Sequence, residues 1–379
     1  MPRLPVIITV AAMAAVATAQ WLTVRYNRDR NWSALYCTGT ARPLPPRIEA
    51  EGVYRFEGPG FDGQFYHLMA HDPLLWRGHA AYMDDARLRY RRILIPAAAY
   101  LLALGRDDLV DAAYWALILA SVGLGVYWCS RWAAERGAHP AWGLGFLGLP
   151  AVIASADRLT ADVSLLALCA AFALYQPRTR ALLAVCAAAP LVRETGLILP
   201  AAVCLRALLD GNRRRAAAFA VTALPFVAWA AFVAHHTAAA SYPVLPVPLG
   251  GIVAALLHPR PYGDKAPAIA WLDQVADAVA LMGILLAFVQ ALRWRGRTTG
   301  AVGYAGLLFA ALGVVLQRPD HWHHVFDFGR VYSPLLLFLG LDAPAGRAAR
   351  AILPTALTYP RIGLQLGSQV VGVVRGLLR

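Results

Sequence analysis

Apolar and polar positions fall in blocks along this chain. Apolar runs cover 4–24, 109–129, 142–155, 159–175, 181–192, 196–209, 216–234, 269–292, 300–316 and 331–341. Short polar turns separate them, together with one long polar segment, 25–92. A full membrane crossing needs about 20 apolar residues, so the shorter runs predict paired or broken helices packed inside a bundle. The pattern predicts an all-α polytopic membrane protein with about 10 transmembrane helices. Residues 1–341 form one integral-membrane domain in this reading. The run 4–24 also has the shape of a signal peptide, with Arg3, an apolar core and Ala17-Thr18-Ala19. Its apolar character continues through Trp21 and Leu22, which favours a retained anchor. In 342–379, Ile362, Leu366, Val370, Val373 and Leu377 share one helical face opposite Gln365, Gln369 and Arg379. That amphipathic pattern predicts an interfacial helix on the cytoplasmic side.

Composition agrees with the pattern. The 379 residues are 59% hydrophobic and 15% charged, against about 25% charged in soluble domains. The formal charge of +13 does not point to nucleic acid, because most basic residues sit in short turns between apolar runs. Arg131 and Arg136, Arg178 and Arg180, Arg213 to Arg215, Arg293 with Arg295 and Arg297, and Arg347 with Arg350 fall in alternate turns. Positive residues concentrate on the cytoplasmic side, so these turns orient the chain with its N-terminus inside. The five cysteines show neither a disulfide framework nor zinc-site spacing.

This orientation collects the unusual polar residues on the outer side. The segment Glu57-Gly58-Pro59-Gly60-Phe61-Asp62-Gly63-Gln64-Phe65-Tyr66-His67-Leu68-Met69-Ala70-His71-Asp72-Pro73 combines a glycine-rich turn with a helical apolar pattern. Asp62 stands at the turn, either as an N-cap or as a carboxylate held at the mouth of a site. Further along come Asp157, Arg158 and Asp162, then Arg193-Glu194, and finally His321, His323, His324, Asp327 and Arg330. Ionisable groups inside a membrane bundle face a cavity or one another. Asp62, Arg193 and Arg330 are therefore expected to line one cavity open sideways to lipid. The 321–327 cluster has metal-ligand types, but adjacent histidines point different ways, so phosphate binding by Arg330 and a histidine is preferred. Gly143-x-Gly145-x-x-Gly148 lies in an apolar run without strand context and reads as helix packing.

Phe-Asp-Gly-Gln-Phe-Tyr at 61–66 with Ala-His-Asp-Pro at 70–73 resembles the GT-C superfamily of integral-membrane glycosyltransferases. So do Arg-Tyr-Arg-Arg-Ile-Leu-Ile-Pro at 89–96, Asp-Arg-Leu-Thr-Ala-Asp at 157–162 and Val-Arg-Glu-Thr-Gly-Leu-Ile-Leu-Pro at 192–200. The likeness is to the bacterial, mannosyltransferase-like branch, with Phe61 where that branch usually has Tyr. It implies a GT-C-like bundle with short interfacial helices in the first outer loop. It also implies an enzyme of the inner membrane acting at the extracytoplasmic face. A sugar would pass from a polyprenyl-phosphate donor to a glycan, lipid or protein acceptor, without nucleic acid, cofactor or metal. The acidic base of the first outer loop maps to Asp62. Displacement at an anomeric carbon also needs cations for the departing phosphate, and Arg92, Arg193, His323 and Arg330 suit that role. Gln64, Tyr66, Asp72 and Glu194 complete the expected substrate contacts, with Asp72 as an alternative base. The competing reading is a transporter or lipid flippase, whose usual internal repeats are not visible here.

Overall fold

The computed structural model describes residues 3–238, 247, 249–263, 265–293, 300–316, 319–342 and 348–379. Arg295, Arg297 and Arg347 lie outside the described residues. The described chain is almost wholly helical, with one parallel bridge of two-residue strands pairing Thr38–Gly39 with Arg55–Phe56. Among the described residues, four helices are long and apolar enough to cross a membrane: Leu4–Asn27, Asp107–Ala134, Arg213–His236 and Pro267–Arg293. The protein is all-α, and these helices are consistent with a membrane protein.

The expectation of about 10 crossings is not met by helices of that length. Asp162–Leu174, Thr179–Val192 and Ala301–Val315 are apolar but shorter. Asp162–Leu174 is buried at every residue except Leu168, so its uniform apolarity reflects an interior position in the bundle. The run 142–155 divides into a 3₁₀ helix, Pro140–Gly148, and an α-helix, Pro150–Arg158. Both begin with a proline, which fits the first turn and cannot continue a preceding helix. Thr179–Val192 and Ile198–Leu209 are likewise separated by a 3₁₀ turn, Glu194–Leu197. An apolar helix at Leu94–Leu102 was not foreseen.

The polar segment after the first helix folds into short pieces: the 3₁₀ turns Trp32–Tyr36 and His79–Tyr82 and the helices Gly63–His71 and Ala86–Arg89. Two glycines allow this loop to close on the bundle. Gly60 has φ +71°, which favours glycine, and a side chain at Gly63 would strike the carbonyls of Arg158 and Tyr36 at 2.1 and 2.6 Å. The Gly63–His71 helix, here the motif helix, is thus seated directly against the end of Pro150–Arg158.

The amphipathic C-terminal helix forms over Tyr359–Leu377, but its expected placement needs correction. Asn27, at the end of the first helix, donates to the Gln369 carbonyl at 3.0 Å, and His324 lies 3.2 Å from the Gln365 amide oxygen. Gln365, Ser368 and Gln369 share a pocket with Cys37, Asp157 and Arg158. The helix therefore reaches the end of the bundle that carries the motif loop. Periodicity gave its apolar face, and tertiary packing decided its end. A motif loop outside and this helix in the cytoplasm cannot both hold.

Candidate functional site

Asp62 takes helical dihedrals, φ −56° and ψ −27°, and its side chain caps nothing. Its carboxylate instead meets Arg89 Nη1 at 2.9 Å and Arg330 Nη1 at 3.0 Å. The capping reading is therefore not what this geometry shows. Burial alone would raise the Asp62 carboxyl, but Arg89, then Arg330, Arg92 and Arg193 outweigh it and hold it well below the usual carboxylate range. Its side chain still keeps 18% exposure.

The network extends from Arg330 to Asp162, 3.2 Å away, and Arg193 pairs with the same carboxylate. Arg193 thus stands one carboxylate removed from Arg330. Arg92 grips Glu194 through two bonds of 3.0 and 2.7 Å, and Arg89 grips Asp84 through two of 3.0 and 2.7 Å. Aromatic rings lie beneath the cations. Phe61 is 4.5 Å from the Arg330 guanidinium and 4.3 Å from that of Arg158, and Phe65 is 4.5 Å from that of Arg89. A ring face stabilises a cation without adding a competing charge. Phe61 can provide that support without the hydroxyl of a tyrosine.

The structure brings together Asp62, Arg330, Arg193, Arg92 and Glu194 from the expected set. Other members fall elsewhere. Asp72 is buried, and its two oxygens accept the backbone N–H groups of Trp76 at 2.8 Å and His79 at 3.1 Å. It builds the turn after the motif helix, so its assignment as substrate ligand or base is corrected. Gln64 accepts from the Gly39 N–H at 3.1 Å and donates to the Pro59 carbonyl at 2.9 Å, pinning the glycine loop where substrate contact was expected. Tyr66 is buried within the core. Among the described residues no hydrogen bond or ion pair joins His323 to Asp62 or Arg330. Its neighbour His324 caps Val325–Gly340 by accepting the Phe326 N–H at 3.1 Å. That capping divides the histidine cluster.

Sequence reasoning gathered Arg158 and Asp162 on the outer side but gave neither them nor Arg89 a role in the site. Arg89 ends the short helix Ala86–Arg89 and Arg92 lies beyond it, so helical spacing in the sequence does not tell which carboxylate each one reaches. Asp162 occupies the first turn of its helix, where a carboxylate is favoured by the helix dipole.

Two adjoining cavities open near this cluster. One, of about 380 Å³, is an apolar groove lined by Val16, Leu22, Ile153, Leu366 and Val370. The other, of about 210 Å³, is polar and includes Arg28, Asp157, Arg158 and Gln365. They share Thr23, Leu35, Asp157 and Gln369. Through Arg158 and Phe61 the polar pocket stands next to Asp62 and Arg330. Comparison with protein-family models, curated proteins and solved structures finds no match for the chain.

Proposed function

We propose that the protein is a GT-C-type glycosyltransferase. It moves a sugar from a polyprenyl-phosphate donor to an acceptor hydroxyl, on the extracytoplasmic side of the bacterial inner membrane. The observation that carries this reading is Asp62, a partly exposed carboxylate held by two arginines from separate segments beside a groove that turns from apolar to polar. The polyprenyl chain lies in the apolar groove, and its phosphate meets Arg158 and the neighbouring guanidiniums. The acceptor oxygen attacks the anomeric carbon as the carbon–oxygen bond to phosphate breaks. Polyprenyl phosphate departs with the bonding electrons, and the acceptor's proton passes to Asp62.

A carboxylate clamped by two guanidiniums is a poor base. Donor binding removes this difficulty, because an anionic phosphate competes for Arg89 and Arg330 with stronger, bidentate bonds. As the arginines turn to phosphate, Asp62 regains basicity, so it is activated only when the donor is present. In this orientation Tyr359–Leu377 also lies toward the extracytoplasmic side. The test is mass spectrometry of lipid-linked sugars and envelope glycans from cells with and without the gene. Loss of one glycan with accumulation of its lipid-linked donor is expected, and unchanged glycans and donors overturn the reading.

A further inference from the structure

We propose that His67, His71 and Asp111 bind one divalent transition-metal ion, with zinc the best chemical match, independently of the transfer reading. His67 and His71 are four residues apart on the motif helix, so their rings share one face. That face meets Asp111 on the long helix Asp107–Ala134. Asp111 Oδ1 lies 3.1 Å from His67 Nε2 and 3.2 Å from His71 Nε2, and one ligand atom from each residue falls within 4.8 Å of the others. Two imidazole nitrogens and one carboxylate oxygen suit zinc, leaving a fourth position for water.

A second observation points to a ligand. The His67 side chain is 1% exposed, yet neither ring nitrogen has a hydrogen-bond partner. Its Nε2 is near Asp111 but misaligned for an N–H bond. A buried imidazole whose Nε2 faces a carboxylate outside hydrogen-bond geometry is costly, and a cation held between Nε2 and Asp111 Oδ1 would satisfy that nitrogen. Its surroundings also fix the ligands. Tyr36 stacks on His67 at 4.2 Å and donates its hydroxyl to Asp111 Oδ1 at 3.0 Å. On the far side of His71, Nδ1 lies 3.3 Å from Asp107 Oδ1, the carboxylate–histidine arrangement that orients metal ligands. A cavity of about 380 Å³ lined by Trp32, Tyr36, Asp111 and Trp115 gives room for water and an approach to the site. The ion would clamp the helix that begins beside Asp62 to a helix long enough to span the membrane.

The test uses the untagged full chain in detergent, stripped with chelator, dialysed against Zn²⁺ and analysed by elemental mass spectrometry. About one zinc per chain is expected in the wild type. A His67→Gln, His71→Gln double variant should retain none, and Asp107→Asn should weaken binding by about 10–100-fold. Absence of zinc in the wild type, or equal zinc in the double variant, overturns the site. Should the double variant fail to fold, Co²⁺ in the wild type decides. Visible bands of four-coordinate cobalt without thiolate charge transfer support the site. Thiolate charge transfer assigns the ion to cysteine and overturns it.

Discussion

Two ionic networks lie near the same end of the bundle and are built differently. One ties the C-terminal helix down: Arg361 faces Asp277 at 3.0 Å and Asp273 at 3.7 Å and donates to the Tyr262 hydroxyl at 3.0 Å. Lys265 holds Asp273 at 2.6 Å from the other side. The Arg361 and Asp273 side chains at its centre are 2% and 4% exposed, with Asp277 at 13% and Lys265 at 37% toward its edge, so the centre of this network is closed. The other surrounds Asp62, at 18% exposure, and draws Arg89, Arg330, Asp162 and Arg193 from distant parts of the chain. Arg89 and Arg330 rest on phenylalanine rings, and Phe61, the ring under Arg330, also meets Arg158, which lines the polar cavity. Closed pairs serve as fastening, whereas pairs at the edge of a cavity can exchange partners with an incoming anion.

Breaking each network should therefore give different results. Asp62→Asn, which keeps the shape but cannot take a proton, should slow transfer by about 10²- to 10⁴-fold while donor binding is kept or tightened, because Arg89 and Arg330 lose a competing carboxylate. A purified variant with a third of wild-type transfer would remove the base role. Arg361→Met should act on folding, because it takes the paired guanidinium from Asp277 and leaves Asp273 with Lys265 alone. A loss of about 3 kcal/mol in unfolding free energy is expected, with kcat of the folded fraction unchanged. Arg330→Lys tests exchange. It keeps the charge but loses the fork, so donor KM should rise by roughly 10-fold with little change in Tm. An equal Tm loss in Arg330→Lys and Arg361→Met would erase the distinction between the networks.

The pH response is a smaller effect. Asp62 and Asp84 both titrate below the normal carboxylate range, Asp62 for the reasons given above. At Asp84, burial pushes up but is outweighed by the bond and charge of Arg89. Each is ionised when folded, so its stabilisation is complete above the unfolded value of about 3.9 and fades as pH falls toward the folded value. The contribution of Asp62 and Asp84 to the urea midpoint should hold from about pH 8 to 5 and drop below about pH 4, with a smaller drop in Asp62→Asn. An acid limb of kcat/KM near neutrality that vanished in Asp84→Asn would contradict this assignment. The smallest effect is expected for Asp72→Asn. One side-chain oxygen remains for two backbone donors, which costs about 1 kcal/mol and leaves transfer within roughly twofold.

The helical class, the meeting of Asp62 with Arg330 and the arrival of Arg193 in the same network through Asp162 were legible because ionisable residues among apolar runs must find one another. Arg89 was harder to read. Within the 87–92 run, Arg87 reaches the Ala234 carbonyl at 2.9 Å while Arg89 and Arg92 turn to carboxylates, and composition does not separate these fates. Gln64 and Asp72 read as substrate ligands because a polar residue beside a glycine turn looks the same whether it faces substrate or backbone. The placement of Tyr359–Leu377 was illegible for another reason. An amphipathic pattern identifies the face that is covered and carries no information about which end of a bundle covers it.

The bond between Asn27 and Gln369 spans 342 positions, and the groove beside it has walls from both helices. Chains grow at about 5–20 residues per second, so the first helix emerges roughly 20–70 s before its partner. Throughout that interval its flank meets lipid, or whatever accompanies the nascent chain. The pocket beside Arg158 has no complete wall until the partner arrives. A stalled or shortened product could insert its early helices and still lack the groove, which is complete only once synthesis has passed residue 369.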